Sequence, residues 1–160
     1  MNVKAAQVTY GIIYDAALEI APMFGYDPAD VSAVMTAIAF VESTFNANAR
    51  VKPPHTARGL LQINNITQKE AEQELGLPAS GDTKIFDPSY NARLGVYMFC
   101  KRLKRCGGDV KRGVVAYNQG NCSKPAQLRA AVYLLKWQSA YDKVVPVIPN
   151  QTIVRQLSWY

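Results

Sequence analysis

A chain of 160 residues, 49% hydrophobic and 19% charged, has the make-up of a globular domain long enough to bury a core without staples. It holds no apolar run long enough to span a bilayer, no internal repeat and no low-complexity segment. The net charge of +6, with an isoelectric point near 9.3, favours anionic partners but does not choose among nucleic acid, phospholipid and cell wall.

The first fifteen residues are interrupted by Gln7, Thr9 and Asp15, so no secretory signal is visible. From about Ala5 to Pro22, Val8, Ile12, Ala16 and Ile20 recur at helical spacing, with Gly25 closing the segment. Asp27-Pro28 is a start signal, a capping acid followed by proline at the first helical position. The helix it opens runs through Val31, Val34, Ile38 and Val41, and Glu42 falls near its end. Residues 46–56 form a loop rich in Asn and carrying Pro53-Pro54, and a short hairpin is conceivable within residues 50–66.

Thr67-Gln68-Lys69-Glu70 reads as a capping box that starts a short helix ended by Gly76. Asp87-Pro88 opens another helix, ending at Gly107-Gly108, and Asp109 caps one that reaches about Tyr117. Pro125 sits in the first turn of a last helix running to about Val144, and the tail after Pro146 reads as extended or irregular. The expectation is one mainly helical domain over residues 1–160.

Cys100, Cys106 and Cys122 lack metal-ligand spacing, and with His55 as the one histidine no zinc site is expected. The thiols are read as small buried hydrophobes, with a Cys106–Cys122 bridge as the alternative. The cationic run Lys101-Arg102-Leu103-Lys104-Arg105 is read as a solvated helix end whose charge suits the helix dipole.

Glu42 is the informative acid. An almost wholly apolar stretch, residues 35–41, precedes it, so its carboxylate is expected on the core side of the helix. Desolvation and the negative helix end both raise a carboxyl pKa, and a protonated carboxyl near neutral pH is what glycosidic bond cleavage needs.

Glu42-Ser43-Thr44-Phe45 is followed by Gly59-Leu60-Leu61-Gln62, then by Asp87-Pro88 with Asn91 and Gly95, then by Ala116-Tyr117-Asn118-Gln119-Gly120. In order and spacing these four blocks, over about residues 30–145, resemble the catalytic domain of lytic transglycosylases, which share a lysozyme-like fold with goose-type lysozyme. The resemblance implies that Glu42 is the catalytic acid and base, with Ser43 following it in the motif. It implies that Gly59, Leu60 and Gln62 line the sugar groove, with Leu61 replacing the usual Met, and that Tyr117 and Asn118 border Glu42. Of the family's last-helix motif this chain keeps the tyrosine, Tyr133. The physical logic agrees, since glycine admits close approach, amides both donate and accept, and tyrosine offers a ring face and a hydroxyl. The family's serine before the Gly-Leu-Met-Gln block has no counterpart here; Pro53-Pro54-His55-Thr56 occupies that region, with Thr56 the nearest hydroxyl.

The implied reaction cleaves peptidoglycan between N-acetylmuramic acid and N-acetylglucosamine with formation of a 1,6-anhydro ring, without cofactor or metal. A hydrolase on the same fold needs a base as well, for which Asp82 and Asp87 are candidates by chain position. A silent wall-binding or structural module is a third reading. Nucleic-acid binding ranks last, because aromatic residues do not interleave with the basic run. The expected partners are glycan strands and other virion or lysis proteins. A wall lyase without a signal is expected to be made in the cytoplasm and to reach the wall as a phage virion component or an endolysin.

Overall fold

The computed structural model describes residues 1–149, and its regular structure is helical. In chain order come α1 (Val3–Ile20), a 3-10 turn (Ala21–Phe24), α2 (Pro28–Ser43), α3 (Asn65–Glu74), α4 (Pro88–Arg105), α5 (Val110–Gln119), α6 (Lys124–Arg129), α7 (Ala131–Val144) and a closing 3-10 turn (Val145–Val147).

The helix α2 is the axis of the core. Every residue from Val31 to Ala39 is buried, so this helix is enclosed on all sides rather than on one stripe. Its start is as expected from sequence: Asp27 accepts hydrogen bonds from the Ala29 and Asp30 amides, and Pro28 supplies the first helical residue. Helices α1 and α7 flank it, and the Trp137 ring of α7 is wholly buried, its indole N–H reaching the Val34 carbonyl at 3.2 Å. Helix α4 packs against α1 on one side and α5 on the other. Glycines permit two of the tightest approaches: a β-carbon at Gly95 would collide with Leu61, and one at Gly113 with Leu103.

Several expectations need correction. The buried residues of α1 are Ala6, Thr9, Tyr10, Ile13, Ala16, Ala17 and Ile20, so Ala16 and Ile20 are buried as expected whereas Val8 is exposed and Tyr10 and Ile13 carry the stripe in its place. Helix α3 begins earlier than the Thr67 capping box, because the Asn64 side chain accepts from the Thr67 amide and Thr67 itself is buried. The last helix is two, α6 and α7, broken at Ala130. The hairpin within residues 50–66 reduces to isolated antiparallel bridges, Arg50 with Arg58 and Arg58 with Ile63. Of the tail, Val145–Val147 form a 3-10 turn, and the rest of that expectation, from residue 150, lies outside the described residues.

Cys106 and Cys122 are joined in a disulfide, which corrects their reading as free thiols. Cys100 does behave as a buried hydrophobe, and burial pushes its thiol up to about 12. The disulfide ties the end of α4 to the loop after α5 across a separation of 16 residues. Closing a loop of that length stabilises by about 3 kcal/mol in the chain-entropy picture. Replacing both cysteines by alanine should therefore lower unfolding free energy by about that amount in urea titrations, with the helical spectrum of the native state retained.

Candidate active site

Glu42 ends α2. The chain leaves the helix through Thr44 and Phe45, both in the left-handed region (φ 52° and 66°), with the Thr44 amide bonded back to the Phe40 carbonyl. That sharp exit lets the following loop fold across the helix end, and Phe45 packs on Phe40 with ring centres 5.4 Å apart.

The segment Arg58–Ile63 then runs past Glu42, and side chains of three helices hold it. Ser43 of α2 donates its hydroxyl to the Leu60 carbonyl at 2.7 Å. Tyr117 of α5 donates to the Leu61 carbonyl at 2.7 Å. Asn91 of α4, wholly buried, accepts from the Leu61 amide at 2.8 Å and donates to the Arg58 and Ile85 carbonyls at 3.0 and 2.9 Å. Gly59 sits against this amide with φ +81°, and a β-carbon there would collide with the Asn91 side chain and lie 2.8 Å from the Ile85 carbonyl. Arg58, itself buried, pairs with Asp82 and donates to Gln68 at 2.7 Å, which anchors the segment on its far side.

A pocket of about 190 Å³ opens beside this segment, lined among others by Glu42, Gln62, Asn64, Arg102, Tyr117 and Asn118. Among the described residues Glu42 is the one carboxylate in that lining. Its Oε1 accepts a hydrogen bond from the Tyr133 hydroxyl of α7 at 2.6 Å. Burial raises the Glu42 pKa, and the Tyr133 hydrogen bond opposes that rise; burial wins, so the carboxyl holds its proton above the ordinary carboxylate range. Tyr133 and Tyr117 are both pushed up, first by burial and then by the Glu42 charge, so they stay neutral hydrogen-bond donors.

The residues singled out in the sequence thus divide. Glu42, Gln62, Tyr117 and Asn118 meet at the pocket, and Tyr133 reaches it through Glu42. Gln62 has φ +51°, and its amide nitrogen donates to the Ala49 and Gly59 carbonyls. Ser43 and Leu60 instead lie inside, 7% and 2% exposed, where Ser43 fastens the segment and Leu60 fills core. Gly59 is covered by Asn91. Thr56 does not face Glu42's pocket; its hydroxyl accepts from the Asn65 amide at the start of α3. Asp82 is held by Arg58 and Arg50, and Asp87 caps α4 by accepting from the Tyr90 amide. Neither of these acids lines the pocket. Among the described residues no group of three His, Cys, Asp or Glu side chains is placed to hold a metal ion.

Asn91 has no role in the sequence reading, yet it clasps the segment; and Arg102, read as part of a solvated helix end, instead lines the pocket and donates from its guanidinium to the Tyr117 carbonyl at 3.0 Å. A signal existed for both. Residues 91, 95, 98 and 102 share one face of α4, and Gly95 and Met98 are buried, so a polar residue at either end of that stripe faces the interior.

An enclosed carboxyl with a raised pKa, in a cleft beside a helical core, is placed to act as a general acid. The chain belongs to the Transglycosylase SLT domain family, whose model matches residues 24–139. Among solved structures, the lytic transglycosylase Slt of Pseudomonas aeruginosa, crystallised as an inactive glutamate-to-glutamine mutant, matches with a TM-score of 0.59. Identity is 22% over 89% of this chain, and the match spans 24% of the Slt chain, so it is a likeness of fold. The family match carries the classification, and the likeness to Slt shows the fold.

Removing the Asn91 amide leaves the buried Leu61 N–H without its acceptor. Asn91→Ala should destabilise the protein by about 3 kcal/mol in denaturant titrations. The raised Glu42 pKa has a linked effect on stability. A group whose folded pKa is raised contributes stability at acid pH and loses it as pH rises through the folded value. Glu42→Gln should therefore match the wild type in melting temperature near pH 4 and exceed it increasingly as pH rises above the ordinary carboxylate value of 4.5.

Proposed function

We propose that Glu42 is the single acid and base of a peptidoglycan lytic transglycosylase, and that residues 1–160 act as one catalytic domain. The observation that carries this reading is an enclosed carboxyl, the one acid in its pocket lining among the described residues, gripped by a neutral tyrosine. Protonated Glu42 gives its proton to the oxygen joining C1 of N-acetylmuramic acid to the next N-acetylglucosamine, and the C1–O bond breaks. The carboxylate so formed accepts the proton of the muramic C6 hydroxyl as that oxygen bonds to C1 and closes the 1,6-anhydro ring. The nucleophile belongs to the sugar, so proximity replaces a second protein carboxylate.

Gln62, Asn118 and the Tyr117 ring are the substrate-facing groups in this reading, since they border the pocket with Glu42. Ser43, Gly59 and Leu60 position the segment that carries Gln62. Tyr133 orients the Glu42 carboxyl and stabilises its ionised form in the second step. A hydrolase is less well supported, because Asp82 and Asp87 are engaged as an ion-pair partner and a helix cap.

Action on the wall outside a reducing compartment fits the Cys106–Cys122 disulfide. Residues 3–20 form a helix with Tyr10, Ile13 and Ala17 in the core, so this segment is part of the fold. Among the described residues no helix is long and apolar enough to cross a membrane. We propose delivery as a phage virion component or an endolysin, working with other virion or lysis proteins.

Mass spectrometry of fragments released from purified peptidoglycan tests the chemistry. Wild-type protein should release muramic ends lighter by one water, and Glu42→Gln should lower the rate about a thousandfold or more. Ordinary reducing ends would assign a hydrolase instead. Tyr133→Phe removes the bond that holds the Glu42 pKa down, so the alkaline limb of the kcat profile should move to higher pH, while kcat at its optimum falls about tenfold.

A further inference from the structure

Beside α5 lies a second cavity, of about 420 Å³, whose lining includes Arg102, Arg105, Arg112, Cys106, Cys122 and Ser123. Two of the arginines come from the last turns of α4 and the third from the first turn of α5, and the Cys106–Cys122 disulfide ties the walls together. Arg102 lines this cavity and the Glu42 pocket alike, so the two share a wall.

Such a concentration of positive charge calls for a counter-charge. The carboxylates of Glu70 and Glu74, on α3, both pair with Lys101, the first at 2.6 Å. Among the described residues no carboxylate lies within 4.0 Å of the Arg102, Arg105 or Arg112 guanidinium; Glu70 acts on Arg102, and Glu74 on Arg105, only at longer range. Arg102 spends one N–H on the Tyr117 carbonyl, and Arg112 faces the Cys122 sulfur at 3.9 Å. Guanidinium groups grip carboxylates in bidentate fashion and are less costly to desolvate than ammonium groups.

We infer that this arginine-lined cavity binds carboxylates of the peptide stem borne by a muramic residue seated in the neighbouring pocket. The inference rests on the reading of the Glu42 pocket as the glycan site. The stem branches from the muramic ring itself, so a strand held beside Glu42 carries its acidic peptide within reach of the shared Arg102 wall. Nucleic acid fits less well, because the cavity lining contains no aromatic ring on which bases would stack.

Calorimetric titration of the Glu42→Gln protein separates binding from turnover. Three soluble glycan fragments serve as ligands: one bearing peptide stems, one with the stems removed, and one with the stem carboxylates converted to amides. The stem-bearing fragment should bind about fivefold more tightly than the other two, the scale of a few partly exposed ion pairs. That advantage should vanish in an Arg105→Gln/Arg112→Gln background and at high salt. Equal affinity for all three fragments would overturn the stem site and leave the glycan reading intact. An oligonucleotide that binds through the same arginines and displaces the stem-bearing fragment would also overturn it. Failure of every fragment to bind would overturn this inference and the glycan reading together.

Discussion

The segment Arg58–Ile63 has almost no regular structure of its own, yet the geometry around Glu42 depends on it. Its backbone is held by Ser43 from α2, Asn91 from α4 and Tyr117 from α5, each through a buried hydrogen bond to Leu60, Leu61 or Arg58. A loop buried this deeply would leave its amides and carbonyls unpaired if side chains did not meet them, and each unmet group costs about 1–3 kcal/mol. The same three side chains tie α2, α4 and α5 to one strip of chain. Helix packing and pocket shape are thus coupled: Gly59 and Gly95 exist as glycines because Asn91 and Leu61 occupy the space a β-carbon would need.

Within that frame Glu42 is set by opposing forces. Enclosure at the end of a buried helix disfavours its charge, and the Tyr133 hydroxyl partly restores it. An acid that must give up a proton and then take one back is served by such a balance, since neither protonation state is held too strongly. Tyrosine suits the task because its own pKa is driven upward by the same burial, so it donates without competing for the proton.

Much of this was legible along the chain. The Asp-Pro helix starts at Asp27 and Asp87 and the caps of α2, α4 and α5 are local signals, written within a few residues and read the same way in the structure. Glu42 stood out because an apolar run led into it. Harder to read were features whose partners are far apart: the face of α1, which is decided by what packs on it, and the division of the last helix at Ala130. The roles of Ser43 and Gly59 also changed character, since a motif gives residue order but not which way each side chain turns.

The resemblance of four sequence blocks to lytic transglycosylases singles out Glu42, while by itself the sequence determined the helical class and the positions of the main helix starts. These follow from propensity, capping and periodicity, which act over a turn or two of chain. Only the tertiary structure decided that Tyr133 bonds to Glu42 across 91 positions, that Asn91 clasps a loop 30 residues away, that Cys106 pairs with Cys122, and that Arg102 faces two cavities. Those contacts depend on how the helices pack, and hydrogen bonds, burial and charge are then settled by which surfaces meet.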